Sequence, residues 1–303
     1  MEIGQIQSFL AVAECLNFSK AAEKVFLSQP AVSQQVRLME KELGVALFSR
    51  GPHRIELTPA GKICREQLQC CVRQLERMTE RTRLAAEGKF GQLRVGFIST
   101  AAVDIVPRLV NRFRETHPQV RLELRDNISS VLMHMLEQRQ MDVAFLRVPF
   151  PSSGLLRHAV IHEEPFRLFL PGSHSLAGKQ AVHLRELNDQ PFLAYARKSA
   201  PGYHDLLMGK LTEFGVRPSL IHEAKDMYTL VSMVSAGMGA TIAPASIARY
   251  GISNIAVRDI ADDFPPSQIA MAFHSVVTSP VISAFLDAAL QEKKQRRPAA
   301  PEG

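Results

Sequence analysis

The stretch of residues 18–57 constrains the fold of this chain more than any other part of it. It predicts two short helices, a sharp turn and then a two-stranded wing. The first helix is expected over residues 19–25, with Ser19 as its N-cap. The second is expected to start at Ser28, whose hydroxyl can accept a hydrogen bond from a free N–H of the first turn. Pro30 falls within that turn, where no intrahelical N–H is required, and therefore favours a helix start.

The second of these helices has one apolar side and one polar side. Its apolar residues recur at steps of four, three and four, which predicts one buried seam: Val32, Val36, Met39 and Leu43. The polar side carries Ser33, Gln34, Arg37 and Lys41, with Gln29 at its flank. Glutamine can pair with adenine edges, arginine with guanine or phosphate, and serine with either, so this side suits the major groove of DNA. An ordinary surface helix with a solvated polar face is the alternative, since it shows the same periodicity.

The segments on either side of this helix favour the DNA-binding interpretation. The two helices are separated only by residues 26–27, as a helix-turn-helix requires, and Gly44 is placed to end the second helix. Two strands are then expected over residues 46–49 and 54–57, around a basic turn that suits phosphate or minor-groove contact. The residues predicted to contact DNA are Ser19, Lys20, Ser28, Gln29, Pro30, Ser33, Gln34, Arg37, Arg50 and Arg54.

These residues also carry a resemblance to a known family. The sequence FxAVAExLNFSKAAEKVFLSQPAVSQQVRLMEKELGVALFSR…IELTPAG, nearly unbroken over residues 9–61, resembles the N-terminal region of LysR-type transcriptional regulators. The remainder of the chain is similar to them in length and layout. The resemblance implies a sequence-specific regulator with a winged helix-turn-helix, a long linker helix and a two-lobed effector domain like a periplasmic binding protein. It also implies a small-molecule inducer, a homodimer or homotetramer, and contact with RNA polymerase.

A long helix is expected from Thr58, as N-cap, and Pro59 to about Glu87, with Gly88 as its stop. Apolar or small residues alternate at steps of four and three along it, as in a coiled-coil seam: Cys64, Leu68, Cys71, Leu75, Met78, Thr82 and Ala85. Packing of this seam on its own domain and pairing with a second copy are both open. Its length, with Arg and Glu beside it, favours a dimer through Cys64, Leu68, Cys71, Leu75 and Met78, and the resemblance implies the same.

Beyond residues 89–92 strands alternate with helices, which predicts βαβ units, parallel sheets and an α/β class overall. The expected domains are residues 1–58, 59–88 and 89–303. Lobe I of the last would comprise about 92–161 and 268–291, lobe II about 162–267, and 292–303 would be a flexible tail. The resemblance implies that the chain crosses between the lobes near 161–164 and again near 264–268.

Open α/β sheets bind ligands beyond the carboxyl ends of their strands. Polar residues at such ends, or at loop-to-helix turns, form the expected effector site: Ser99, Thr100, Ser129, Arg147, Arg197, Ser199 and Tyr203. Arg147 can pair with a carboxylate, and Ser99, Thr100 and Arg147 align with inducer-contacting positions of the resembled family. A small carboxylate, aromatic or not, is the expected inducer. The alternative for Ser99 and Ser129 is that they merely cap helices.

Composition and residue spacing narrow the remaining classes. The net charge of +6 permits an anionic partner, and no apolar run approaches the ~18 residues that span a bilayer. With no charged-then-apolar signal segment, the sequence predicts a cytoplasmic protein.

Its four cysteines are expected to stay reduced, with a redox sensor as the remote alternative. Neither metal-ligand spacing nor a nucleophile–base pair stands out, so no metal, cofactor or enzymatic activity is expected. The rival hypothesis is a cytoplasmic solute-binding protein or enzyme whose N-terminal helices serve only assembly.

Overall fold

The computed structural model describes residues 1–50, 55–151, 154–277 and 279–296, with the backbone alone for Arg50 and for residues 294–296. By the density of internal contacts the chain divides into an N-terminal unit, Met1–Arg83, and a C-terminal unit, Leu84–Gly303. No helix in the ranges given above is both long enough and apolar enough to cross a membrane.

The N-terminal unit is built from helices around a small apolar core. Its elements are α1 (Ile3–Cys15), α2 (Phe18–Lys24), α3 (Gln29–Leu43), β1 (Phe48–Arg50), β2 (Ile55–Leu57) and the long α4 (Pro59–Ala86). Phe9 and Val12 of α1 and Val36 and Met39 of α3 are fully buried in this core. Strands β1 and β2 form an antiparallel hairpin, and Phe48 at its start stacks near Phe9, with ring centroids 5.4 Å apart. The unit is therefore a winged helix-turn-helix.

Helix α2 begins one residue earlier than predicted, and Ser19 is not its N-cap. Asn17 takes that position, where its Oδ1 accepts the backbone N–H groups of Ser19 at 2.8 Å and Lys20 at 3.0 Å. An asparagine just ahead of the helix reaches both free N–H groups of the first turn. The prediction was wrong because two good capping residues compete here and the earlier one wins.

The predicted start and end of α3 are confirmed. The Ser28 hydroxyl accepts the N–H of Ala31 at 3.4 Å, Pro30 lies in the first turn, and Gly44 ends the helix with φ +69°. Leu43, however, is exposed rather than part of the buried seam. It is the last residue of the helix, beyond the reach of the core that covers the preceding turns.

The wing and the start of α4 are fixed by side chains that bond to backbone. Glu40 of α3 accepts the N–H of Leu47 at 2.8 Å. Thr58 caps α4 as predicted, since its hydroxyl accepts the N–H of Gly61 at 2.9 Å and donates to the Ala46 carbonyl at 2.8 Å. A Cβ at Gly61 would lie 2.1 Å from the Leu47 carbonyl oxygen. Only glycine therefore allows α4 to approach the wing this closely.

The C-terminal unit contains two lobes, each organised around a sheet with its own apolar core. Lobe I comprises β3 (Phe90–Phe97), α5 (Ser99–Ala102), α6 (Ile105–Thr116), β4 (Gln119–Asp126), α7 (Ser129–Glu137), β5 (Val143–Val148), β6 (Leu156–Glu164), β13 (Ser267–His274) and α10 (Pro280–Arg296). Lobe II comprises β7 (Phe166–Pro171), β8 (Ala181–Val182), β9 (Pro191–Tyr195), α8 (Pro201–Glu213), β10 (Ser219–Ala224), α9 (Met227–Ser235), β11 (Thr241–Pro244) and β12 (Ile255–Ile260).

The larger sheet of each lobe is mixed rather than parallel, and β9 and β10 form a separate two-stranded parallel sheet in lobe II. In lobe I the strand order is β4-β3-β5-β13-β6. Strand β3 pairs in parallel with β4 and β5, as the alternation of strands and helices predicts, whereas β13 is antiparallel to both β5 and β6. In lobe II the order is β11-β7-β12-β8, with β7 antiparallel to both neighbours. Strands β6, β8 and β12 were not predicted; because they form between distant parts of the chain, local pattern gives little sign of them.

The chain passes from the first sheet to the second at Pro165 and returns between Ile260 and Ser267. It ends in α10, which continues to Arg296, so residues 292–296 are helical and the predicted tail was wrong there. Glu292 anchors this last turn through an ion pair with Arg112 of α6 at 3.0 Å. The rest of the predicted tail, residues 297–303, lies outside the described ranges.

Candidate functional site

The polar side of α3 is left uncovered by the N-terminal unit. Of the residues predicted to contact DNA, Ser33 is half-buried and the others described with side chains are exposed: Ser19, Lys20, Ser28, Gln29, Pro30, Gln34 and Arg37. The rotation of α3 follows from its opposite side, where Val32 and Val36 are buried and the Ser8 hydroxyl donates to the Gln35 side chain. The polar side of α3 is therefore open to solvent in this unit.

Two of the predicted DNA contacts cannot be placed on this surface. Arg54 lies outside the described residues, and Arg50 is described only by its backbone at the end of β1.

The turn between α2 and α3 contains Phe26, which adopts φ +57° and is 94% exposed. This unusual backbone conformation for an aromatic residue closes the tight helix-turn-helix connection.

The predicted seam of α4 is divided between two environments. Leu68 is only 5% exposed and, with half-buried Cys64, packs against the core of the N-terminal unit. For these two residues the structure supports the alternative of packing on their own domain. Cys71 and Leu75 are exposed, and Met78 is 57% exposed. The surface available to a second copy therefore lies farther along the helix than the full seam suggested.

The second candidate site lies in the C-terminal unit, at a cleft lined by both lobes. Its empty space is about 250 Å³, open solvent at its mouth included. It is lined by Ile98, Ser99, Thr100, Ser129, Arg147, Tyr195, Ala200, Tyr203 and Met227. Arg147, near the end of β5, is only 3% exposed. Its Nη2 donates to the Thr100 hydroxyl at 2.5 Å and its Nη1 donates to the Ser267 hydroxyl. Its guanidinium carbon lies 5.4 Å from the centre of the Tyr203 ring.

Arg147 is thus a buried cation held by neutral partners. Within residues 1–50, 55–151, 154–277 and 279–296, no carboxylate forms an ion pair with it. Burying a charge without an opposite charge is costly. Thr100 and Ser267 each take one N–H from a different nitrogen, and a guanidinium carries five such donors. Donors therefore remain for an anion that enters the cleft.

Two tyrosines complete the polar lining. Tyr203 is fully buried, and its hydroxyl has no hydrogen-bond partner among the described groups. Burial raises the pKa of Tyr203 above its usual range and raises the pKa of Tyr195 to about 12, while the nearby Arg147 opposes both shifts. Both phenols therefore stay protonated at neutral pH and can donate to a carboxylate.

Ser99 and Ser129 begin α5 and α7 and are not their caps. The N-cap positions are Ile98 and Ile128, which make no side-chain capping bond. Ser129 is buried, whereas Ser99 is exposed and its hydroxyl is bonded to Tyr250. The capping alternative is therefore wrong for both serines, whose hydroxyls line the cleft instead.

Two predicted effector residues do not line the cleft. Arg197 is exposed and forms a two-pronged pair with Asp205, both contacts at 2.8 Å. This pair, with a smaller contribution from His204, holds the pKa of Asp205 at about 2. Ser199 is buried, and its carbonyl accepts the N–H of Ser130 across the lobes at 3.2 Å. Both residues therefore have structural partners that the sequence did not reveal.

The sequence also missed residues that the structure brings to the cleft. Ser267 reaches Arg147 because β13 lies beside β5, with Ile269 opposite Arg147 in the register. Tyr195 at the end of β9 carried a usable signal, since it ends a strand in the same way as Arg147. Across the described ranges, no group of three His, Cys, Asp or Glu residues has a metal-binding arrangement.

Comparison with known proteins decides the family. The model described as "Bacterial regulatory helix-turn-helix protein, lysR family" matches residues 3–62, and the model "LysR substrate binding domain" matches residues 86–294. The chain belongs to the LysR family of transcriptional regulators. The resemblance found in the sequence and the predicted fold class are thereby confirmed.

Curated relatives and solved structures agree with this assignment. The regulator AlsR of Bacillus subtilis strain 168 is 30% identical over 291 residues, 94% of each chain. BudR of Raoultella terrigena is 31% identical over 288 residues, which cover 95% of this chain and 99% of BudR. The structure of full-length CbnR with its target DNA has a TM-score of 0.85 and 26% identity, covering 97% and 100% of the two chains. This LysR-family chain is a DNA-binding transcriptional regulator with an effector-binding domain.

Proposed function

We propose that this regulator recognises its operator through the polar side of α3 and is controlled by a small carboxylate bound between lobes I and II. The observation that carries the second part is the buried Arg147, which has no carboxylate partner among the described residues and lies over the ring of Tyr203, whose hydroxyl is unpartnered. A carboxylate in the cleft would satisfy both groups at once. Charge-assisted hydrogen bonds of this kind are among the strongest that proteins form.

On the DNA side, Gln29, Ser33 and Arg37 would present base-reading groups at steps of four along α3, where Gln29 and Arg37 are exposed and Ser33 is half-buried. Lys20 of α2 is exposed beside them and would contact phosphate. Arg50 and Arg54 of the wing are proposed as further phosphate or minor-groove contacts. Two copies paired through Cys71, Leu75 and Met78 of α4 would place two recognition helices on the two half-sites.

Control by a ligand requires that it bind one arrangement of the lobes more tightly than another. The division of the cleft between the lobes supports such control, because Thr100, Ser129 and Arg147 belong to lobe I, whereas Tyr195 and Tyr203 belong to lobe II. A carboxylate held by both sets would favour closed lobes. The regulator would transmit this preference to DNA or to RNA polymerase, in the cytoplasm where its DNA lies.

The family assignment favours this function over the rival hypothesis of a solute-binding protein or enzyme. The effector-binding domain of BenM, solved with its effector benzoate, shares the fold of this chain at 22% identity and a TM-score of 0.61. Benzoate is therefore a suitable first probe, alongside aliphatic carboxylates of similar size.

The test uses the full-length chain and genomic fragments selected for binding to it. Addition of benzoate or another carboxylate should change operator binding or the protected region, and the same carboxylate should bind by calorimetry. Substrate turnover without specific DNA binding would support the rival hypothesis instead. Operator binding that no carboxylate alters, in a protein that binds none of them, would refute the proposed effector class.

A further inference from the structure

The C-terminal unit contains a second and larger cavity between its lobes. Its volume is about 220 Å³, or about 590 Å³ with the open solvent at its mouth included. Its polar lining includes Thr100, Asp104, His162 and Glu164 from lobe I and Ser246 and Arg249 from lobe II. Thr100 is the one residue that lines both this cavity and the Arg147 cleft. The two spaces are therefore distinct but adjacent.

Glu164 is the buried charged group of this cavity. Its side chain is 8% exposed, and its two oxygens accept the hydroxyl of Ser246 at 2.9 Å and the backbone N–H of Ser246 at 2.6 Å. Both donors are neutral. The imidazole of His162 comes to 3.8 Å, which is too long for a hydrogen bond.

No lysine or arginine of the described chain forms an ion pair with Glu164. The other carboxylate of the cavity differs in this respect. Asp104 is paired with Arg108 at 2.8 Å and with Arg249 of lobe II at 3.3 Å. The cavity lining thus carries two carboxylates, Asp104 and Glu164, and one arginine, Arg249, which pairs with Asp104. The space beside Glu164 therefore favours a cation.

We propose that this cavity is a second ligand site, which binds a small molecule carrying a protonated amine with Glu164 as its counter-charge. The amine would donate to the carboxylate lone pairs that Ser246 leaves free. Its apolar part would contact Ile105 and Ile269, which also line the cavity. Because the Thr100 hydroxyl accepts a hydrogen bond from Arg147 and Thr100 also lines this cavity, occupation of one site should alter affinity at the other.

The experiment measures binding of n-butylammonium chloride to the full-length protein by calorimetry and by ligand-observed NMR, against sodium chloride of equal ionic strength. Wild type should bind it saturably, and Glu164→Gln should weaken binding at least tenfold. The matched control is Glu163→Gln, since the neighbouring Glu163 is exposed and accepts from Gln268 at 2.6 Å. It should bind like wild type. Absence of saturable binding, or equal affinity in Glu164→Gln, overturns the proposal.

Two further variants guard against a simple loss of folding. Arg249→Ala removes an exposed cation from the mouth and should tighten butylammonium binding several-fold. Ala245→Leu occupies the cavity without changing its charge and should abolish binding while the thermal midpoint stays near that of wild type. If Arg249→Ala weakens binding, or Ala245→Leu leaves it intact, the amine binds elsewhere and the proposal fails.

The amine site and the carboxylate site can fail independently. Arg147→Lys should lose benzoate binding and keep butylammonium binding, whereas Glu164→Gln should do the reverse. If wild type binds only one of the two probes, the site proposed for the other probe is refuted and the first site stands.

Discussion

The guanidinium carbon of Arg147 lies 5.4 Å from the centre of the Tyr203 ring, although the two residues belong to different lobes. An arginine at this distance from an aromatic face is attracted by the ring, most strongly where water is excluded. The contact therefore contributes an attraction between the two lobes. It also leaves the Tyr203 hydroxyl buried and unpartnered, in a position to be satisfied by a molecule that enters the cleft.

Tyr203→Phe separates these two roles. The ring and its contact with Arg147 remain, while a buried hydroxyl without a partner is removed. An unsatisfied buried polar group costs roughly 1–3 kcal/mol, so the ligand-free variant should be as stable as wild type or more stable by thermal denaturation. Its affinity for the carboxylate effector should fall by about tenfold, or ~1.4 kcal/mol. Lower stability with unchanged affinity would show that Tyr203 does not contact the ligand.

Arg147→Lys should abolish detectable carboxylate binding although it keeps the positive charge. A lysine ammonium cannot hold Thr100, Ser267 and a carboxylate in the planar arrangement that a guanidinium provides. Arg197→Lys is the matched control, since Arg197 is exposed and paired with Asp205 outside the cleft. It should bind the effector as wild type does. Calorimetry measures the carboxylate affinity of both variants. An equal loss of affinity in the two would contradict the assignment of Arg147 to the effector site.

Gln29→Ala and Ser33→Ala should weaken binding to the selected operator by ten- to a hundredfold, with little change on unrelated duplex. A good pair of hydrogen bonds to a base contributes about 1–3 kcal/mol of discrimination. Lys20→Ala should instead weaken binding to all duplexes and reduce the steepness of the salt dependence. Gln7→Ala, on the exposed side of α1, is the control. Fluorescence anisotropy at several salt concentrations measures all four, and uniform losses in the first two variants would refute base readout by α3.

Charges placed on the uncovered part of the α4 seam should dissociate the oligomer. Leu75→Glu combined with Met78→Glu adds two negative charges to residues that are exposed in one copy. Arg73→Glu changes the net charge by the same amount on the opposite side of the helix and should leave association intact. Sedimentation velocity distinguishes the two variants, because dissociation lowers the sedimentation coefficient. A lower sedimentation coefficient in both variants, or in neither, would exclude pairing through this seam.

Gly61→Ala should destabilise the N-terminal unit by about 1–3 kcal/mol, since the added methyl would collide with the Leu47 carbonyl. Gly209→Ala is the opposite case, because nothing lies within 4 Å of a Cβ at this position in α8. Its replacement should stabilise the chain by about 0.5–1 kcal/mol through better helix propensity. Urea denaturation compares the two, and a neutral Gly61→Ala would mean that α4 can move away from the wing.

Features set by neighbouring residues were the easiest to predict from sequence. Ser28, Pro30 and Gly44 delimit α3 because capping and helix termination act within a few residues. The same locality produced the error at α2, where Asn17 and Ser19 both suit the N-cap and their hydrogen-bonding geometry alone decides between them.

Features set by distant pairing were not predictable. The neighbour of Arg147 across the sheet belongs to β13, more than a hundred residues later in the chain, so Ser267 had no local signal. Arg197 failed for a different and local reason, because the nearby Asp205 of α8 captures its guanidinium. Thr100, Ser129 and Arg147 were found because all lie near strand ends of one sheet, although their ligand role stays a prediction.

The order of strands in lobe I has a consequence for how the protein is made. Strand β13 lies between β5 and β6, yet it is synthesised after the whole of lobe II. On the ribosome, lobe II can thus close its sheet while β5 and β6 still lack the strand that joins them. A chain that stops before Ser267 would contain every strand of the second lobe but would have no Arg147–Ser267 contact, so the surroundings of the buried Arg147 are completed only in the last stage of translation.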